Sequence, residues 1–192
     1  MHTIEPFYNW RDFYIASEDD QSPFYRRVYN EFGFDHQIYN YLIHPQWDSI
    51  ESSTLYIKIL FVDYLEGTAI IELIGEWNDV IDNDVMLLKR HVIDKMLAHS
   101  INRFVLIGEN ILNFHGDIDD HYQEWYEAVA EEAGWISALH FRPHVVDEML
   151  KNNIGHYFQF NQAFNIVDWR TMRPNHLIRT IDQLVTRQIA NF

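Results

Sequence analysis

The chain has 192 residues, 47% hydrophobic and 16% aromatic, which suits one domain with a sizeable core and excludes a disordered chain. It contains no cysteine, which excludes disulfides, a thiolate nucleophile and thiolate metal sites. The formal charge of −15 stays negative even with all 11 histidines protonated, so nucleic acid and anionic membranes are not expected partners.

The first ten residues contain no basic stretch that leads into an apolar run, and apolar runs elsewhere have the length of strands. A signal peptide and a membrane span are therefore not expected, and we expect a cytoplasmic protein. One domain is predicted over residues 1–192, with an N-terminal extension (1–35), an α/β core (36–165) and a C-terminal helix (174–190).

The N-terminal extension is rich in aromatic residues but lacks the periodicity of a helix or a strand. We expect these rings to pack on the main body or to bind a partner. They are Phe7, Tyr8, Trp10, Phe13, Tyr14, Phe24, Tyr25 and Tyr29.

The core begins with three predicted strands, because β-branched and aromatic residues dominate Ile38–His44, Leu55–Tyr64 and Thr68–Ile74. The tight turn signal Glu66-Gly67 joins the last two strands, so the sheet should start antiparallel. Apolar residues at three- and four-residue spacing then predict an amphipathic helix over Asp84–His99.

Strand and helix alternate after this point. Arg103–Ile107 is a short apolar run that ends at Gly108 and suits a strand covered on both faces. A helix capped by Asp119 or Asp120 should end at Gly134, in the position after the last helical turn. Trp135–Phe141 is predicted as the next strand.

A third helix is expected to start at Pro143 and to stop at Gly155. A short strand at Phe158–Phe164 and a final helix from Pro174 complete the prediction. The fold class is therefore α/β, with a mixed sheet that starts antiparallel and continues through strand–helix–strand units with right-handed crossovers.

The segment from Ile70 to about Phe164 resembles the STAS, or SpoIIAA-like, family of small α/β domains. Gly75-Glu76-Trp77-Asn78-Asp79 is similar to the motif that ends a strand of that family, and Phe104-Val105-Leu106-Ile107 is similar to its central strand. The resemblance implies a binding role. Regulatory members carry a phosphorylated serine after the central strand, whereas residues 110–119 here contain no Ser or Thr, so the phosphorylation switch is absent.

Polar residues follow the predicted parallel strands, where ligands bind in open α/β sheets. Carboxylates, imidazoles and a guanidinium on one rim of the sheet could bind an anionic small molecule or a divalent metal. The candidate ligand-binding residues are Glu76, Asn78, Asp79, Glu109, Asn110, His115, Asp117, His140, Arg142 and His144.

Simpler roles compete with this interpretation. The carboxylates at helix starts can cap helices or compensate the helix dipole, and each histidine can bond the backbone. The spacings of His115, Asp117, His140 and His144 match no metal motif, no nucleophile elbow or phosphate loop is present, and no catalytic residue, metal site or cofactor is predicted.

Two functional hypotheses follow. The first is a non-enzymatic protein-binding or scaffold domain that uses its aromatic extension and early strands for a protein partner or a homodimer. The second is an enzyme, dependent on a metal or a small molecule, that uses the rim; it requires Glu76, Glu109, His115, His140 and Arg142 to face one pocket.

Overall fold

The structure, a computed structural model that describes residues 2–189, contains two mixed sheets and several helices, which confirms the α/β class. The smaller sheet consists of β1 (His2–Ile4), β2 (Gln37–Ile38) and β3 (Tyr41–Ile43). The larger sheet consists of β4 (Asp48–Ser49), β5 (Leu55–Asp63), β6 (Thr68–Asn78), β7 (Arg103–His115) and β8 (Trp135–Leu139), in that spatial order. Among the described residues, no helix is long and apolar enough to cross a membrane.

The larger sheet starts antiparallel and becomes parallel, as its sequence predicts. Strands β5 and β6 form a hairpin in which Gly67, at φ 62°, takes the left-handed conformation that the turn requires. Strands β6, β7 and β8 then pair in parallel.

The helices are α1 (Asp84–Leu88), α2 (Asp94–Leu97), α3 (Asp120–Glu131), α4 (Pro143–Lys151) and α5 (Pro174–Ile189). A π-helical turn, Lys89–Ile93, joins α1 to α2, so these three pieces fill most of the helix predicted over Asp84–His99. The final residue of the predicted C-terminal helix, Ala190, lies outside the described residues.

Two different layers cover the larger sheet. On the helical face, apolar residues of α1 to α4 pack on Ile71, Leu73 and Phe104. On the opposite face, which we call the arm face, residues 2–35 (the arm), the smaller sheet and α5 form two separate clusters, one around Ile70 and one around Ile74. The arm reaches both layers, because Trp10 is buried on the arm face and Phe24 on the helical face.

Two predicted strands are wrong. The segment Ile38–His44 turns back at Tyr39, which has a φ of 52°, and it forms part of the smaller sheet. The segment Phe158–Phe164 forms only one isolated bridge to β8, through Gln159, before a 3₁₀-helix at Gln162–Ile166.

Two predicted boundaries are also wrong. Strand β7 does not stop at Gly108 but continues to His115, because β6 pairs with it beyond that glycine. The left-handed residue after α3 is Ala133 rather than Gly134. Gly134 is required instead for close packing, since a Cβ there would lie 1.9 Å from the carbonyl oxygen of Asn102.

Candidate functional site

One part of the predicted rim forms a compact cluster at the carboxyl ends of β6 and β7. Glu76 Oε1 accepts a 2.7 Å hydrogen bond from the Asn78 side chain and lies 3.4 Å from His115 Nε2. The hydroxyl of Tyr39 donates to the other oxygen of Glu76. A bulky residue at positive φ, such as Tyr39, is uncommon and is held there by its surroundings.

Asp79, which follows this cluster directly in the chain, is buried. Its Oδ1 accepts from the backbone N–H of Val85 at 2.9 Å, and its Oδ2 accepts from the Tyr122 hydroxyl at 2.5 Å. Burial raises the pKa of Asp79 to about 6. These bonds fix the start of α1 against α3, so the contacts of Asp79 are those of a structural residue.

The predicted rim residues on and before α4 bond the backbone. Arg142 Nε donates to the carbonyl oxygen of Glu109 at 3.2 Å, and His144 Nε2 lies 2.8 Å from the carbonyl oxygen of Leu112. Strand β8 pairs with β7 only as far as Ile107. Beyond that point, these two side chains bond backbone carbonyl oxygens that lack a partner strand. His140 bonds a different carbonyl, that of Val167, at 2.7 Å.

The remaining rim residues lie apart from the Glu76 cluster. Glu109 forms an ion pair with Arg170, and Asn110 lies 3.5 Å from Glu72. Asp117 is exposed. The ten predicted residues therefore do not form one site. Residues 2–189 contain no group of three or more His, Asp or Glu side chains that could hold a metal. Binding of a small molecule by any of the ten stays a prediction.

A second polar feature crosses the arm face between its two apolar clusters, and Glu109 is its one member among the ten predicted residues. We call it the polar row, and it consists of Asp48, Lys58, Glu72, Glu109 and Arg170. Alternation along β6 directs Ile70 into one apolar cluster and Ile74 into the other, with Glu72 between them. The register of β5 and β6 places Lys58 directly opposite Glu72.

Glu72 is fully buried and holds the arm. Its Oε2 accepts a 2.8 Å hydrogen bond from the backbone N–H of Phe7, and its Oε1 lies 3.7 Å from Arg170. Burial raises the pKa of Glu72 to about 7. The attachment of the arm is thus coupled to a carboxyl group that titrates near neutrality.

Lys58 turns away from Glu72 toward β4. Its ammonium group donates to the Gln46 carbonyl at 2.8 Å and to Asp48 Oδ2 at 3.1 Å, and it lies 3.9 Å from the centre of the Tyr29 ring. Burial lowers the pKa of Lys58 and raises that of Asp48, while their mutual attraction opposes both shifts. Tyr29 also donates to Asp48 at 2.6 Å.

The sequence carried a usable signal for two members of the polar row. Lys58 and Glu72 are single charges within apolar runs, Leu55–Val62 and Ala69–Ile74, that were predicted as strands. A charge in a strand that is covered on both faces needs a partner, which marks both positions as special. Glu109 was predicted as a rim residue, and Asp48 and Arg170 lie in segments without a comparable pattern.

The arm also carries large apolar side chains that no other described residue covers. Val28 is 92% exposed and Phe32 is 87% exposed. Phe32 and Tyr8 line a shallow groove of about 390 Å³ with the carboxylates of Glu5 and Glu31 and with Arg11, His44 and Gln46. This combination of exposed rings and acidic groups forms a second candidate site, which we call the arm groove.

A comparison of the chain with models of protein families and with curated proteins finds no match.

Proposed function

We propose that this chain is a non-enzymatic protein-binding domain on a STAS-like sheet and that its arm groove binds a basic segment of another protein. The observation that carries this proposal is the exposure of Tyr8 and Phe32 in one groove with Glu5 and Glu31. Soluble proteins rarely leave grouped large apolar side chains uncovered unless a partner binds there.

The charge favours a basic partner over a second copy of the chain. Each copy has a formal charge of −15, so two copies repel unless salt screens them. The groove offers the carboxylates of Glu5 and Glu31 and the rings of Tyr8 and Phe32. Lysine and arginine match both, because their aliphatic stems pack on apolar surface while the charged ends reach carboxylates.

The STAS-like part of the proposal is supported by the order of the elements after β5. A hairpin, two parallel crossovers and a helix after the last strand follow one another as in that family. Residues 110–115, which the resemblance aligns with the segment that carries the regulatory serine, belong to β7 here. The proposal therefore includes no phosphorylation switch.

An enzyme that uses the rim has less support. Glu76 and His115 pair with each other, whereas Arg142 and His140 bond backbone carbonyls. Such an enzyme would need these groups to face one substrate.

The test uses fluorescence anisotropy with labelled peptides. A peptide that alternates lysine and leucine should bind, a glutamate counterpart should not, and added salt should weaken binding. Phe32→Ser should weaken binding at least about tenfold, as expected for a buried aromatic contact. The matched control is Leu65→Ser, which changes a side chain that is 98% exposed outside the arm.

Two outcomes would overturn this proposal. Equal binding by the wild type and by Phe32→Ser would remove the arm groove as the binding site. A dimer in sedimentation velocity that Phe32→Ser converts to monomers would assign the same surface to self-association.

A further inference from the structure

A cavity of about 170 Å³ lies between the arm and strand β5. Lys58 and Leu60 line it on the side of the sheet, and Phe7, Trp10 and Tyr14 line it on the side of the arm. A cavity of roughly 150 Å³ accommodates a benzene ring in other proteins. The size and the aromatic lining therefore suit a ligand with one ring.

The charge around this cavity is opposite to that of the chain. Lys58 and Arg27 both pair with Asp48, at 3.1 and 3.3 Å, and Arg11 adds a third cation at the cavity wall. The residues that line the cavity thus include two cations, Arg11 and Lys58, and no carboxylate, in a chain of formal charge −15. Positive charge at a partly desolvated site attracts an anion.

The hydrogen-bonding capacity of Arg11 is largely unused. A guanidinium has five N–H donors. Among residues 2–189, the Arg11 side chain forms one hydrogen bond, from Nη2 to Gln46 Oε1 at 3.3 Å. Glu5 and Glu31 line the arm groove together with Arg11, but no carboxylate among residues 2–189 forms an ion pair with it. A guanidinium with free donors binds a carboxylate through two parallel bonds.

We propose that this cavity binds a small aromatic carboxylate, with its carboxylate at Arg11 and Lys58 and its ring among Phe7, Trp10 and Tyr14. The ammonium of Lys58 is fixed by Asp48 and by the Gln46 carbonyl, so it supplies a preorganised charge. The arm forms the outer wall, and the ligand would hold it against the sheet. This site shares Arg11 and Gln46 with the lining of the arm groove, but its occupation does not depend on a protein partner.

The test is isothermal titration calorimetry of the full chain with benzoate, with neutral benzamide and with phenyl phosphate. Benzoate should bind saturably and raise the unfolding temperature, because a ligand that binds only the folded state stabilises it. Benzamide, which lacks the charge, should bind at least about tenfold more weakly.

Variants separate this site from the arm groove. Arg11→Gln should weaken benzoate binding at least about tenfold, as expected for the loss of a bidentate charged contact. Arg187→Gln, which changes an exposed arginine of α5, and Phe32→Ser should leave it unchanged. Lys58→Met should weaken binding further, and if that variant does not fold, Arg11→Gln decides.

Three results would overturn the proposal. They are the absence of saturable heat with benzoate, equal affinity for benzoate and benzamide, and unchanged benzoate affinity in Arg11→Gln. Binding of phenyl phosphate without binding of benzoate would also overturn it, because the site would then recognise a phosphate monoester instead of a carboxylate.

Discussion

The two faces of the larger sheet are built differently. On the helical face, large rings such as Trp77, Phe104 and Trp125 pack with no exposure. The buried carboxylates that the structure describes there, Asp79 and Asp84, lie at the start of α1. On the arm face, the polar row crosses the middle of the sheet and separates two apolar clusters.

The two faces should therefore contribute differently to the stability of the fold. Contiguous apolar packing stabilises a fold through area removed from water. Buried charges such as those of Lys58 and Glu72 cost desolvation free energy that their partners offset only in part, so the polar row should stabilise the fold less than apolar packing does. We therefore expect the helical face to dominate the free energy of unfolding and the arm face to respond to pH and to ligands.

The largest effect is expected for Trp77→Ala on the helical face. Trp77 has no exposed surface and contacts the rings of Phe114, Tyr122 and Phe158, so its loss should lower the free energy of unfolding by about 3–5 kcal/mol. Urea unfolding followed by circular dichroism measures this.

The matched variant on the arm face is Trp10→Ala. Trp10 is 3% exposed and donates from its indole N–H to the Met172 carbonyl at 2.8 Å. We expect a smaller loss, because the arm can detach while the sheet stays folded. An equal loss would show that the arm and the sheet unfold together and would break the comparison.

The second effect is expected for Glu72→Gln, which should change how the free energy of unfolding depends on pH. Burial raises the pKa of Glu72 from 4.5 to about 7, so the folded state holds this proton more tightly than the unfolded state. The stabilisation that comes from this protonated group is fully present below pH 4.5, decreases between pH 4.5 and 7, and is lost above pH 7. The total loss in the free energy of unfolding is about 3 kcal/mol.

Glutamine cannot ionise, so Glu72→Gln should remove this slope and raise stability above pH 7 by about 1–3 kcal/mol. Its amide oxygen can still accept the N–H of Phe7. Urea unfolding at pH 5 and pH 8 tests this, with Glu66→Gln, an exposed carboxylate, as the control. If Glu72→Gln instead lowers the free energy of unfolding at pH 8, the bonds that the ionised carboxylate forms with the arm contribute more than its desolvation costs.

The third effect is expected for Tyr122→Phe on the helical face. The Tyr122 hydroxyl donates to Asp79 at 2.5 Å and so lowers the pKa of that carboxyl, which burial raises to about 6. Removal of the hydroxyl should reduce stability by about 1–3 kcal/mol and should raise the pKa of Asp79 further. The loss should therefore be larger at pH 8 than at pH 5, and an equal loss at both would show that the hydroxyl does not favour the ionised form.

The smallest effect is expected at the rim, for His115→Ala. The imidazole is 47% exposed and lies 3.4 Å from Glu76, a geometry that contributes less than about 0.5 kcal/mol at a surface. Thermal unfolding should show almost no change. A loss above about 1 kcal/mol would mean that the cluster of Glu76 and His115 is part of the structural core.

The sequence predicted elements that follow from local periodicity. The hairpin at Gly67, the helix from Asp84 and the helix from Pro174 all have clear patterns or turn residues. The second half of β7 was missed because Glu109, Asn110 and Asn113 interrupt the apolar run, and only pairing with β6 keeps this segment extended. The turn at Tyr39 was missed because it contains no glycine.

The candidate sites were predictable only in part. Adjacent parallel strands bring their carboxyl ends together, and this rule places Glu76 beside His115. The polar row depends on contacts between segments far apart in the chain, such as Phe7 with Glu72 and Arg170 with Glu109. Single-sequence periodicity contains no information on such contacts.

The long parallel pairing of β6 with β7 also determines the order in which the chain can fold. These strands are joined by the whole α1–α2 segment, so that loop must close before their pairing yields any gain, which makes this a slow step. The acceptor of the Phe7 N–H is Glu72 on β6, so this hydrogen bond can form only after β6 has paired. The arm should therefore dock last and open first, and the amide of Phe7 should exchange with solvent deuterium faster than the amides of β6.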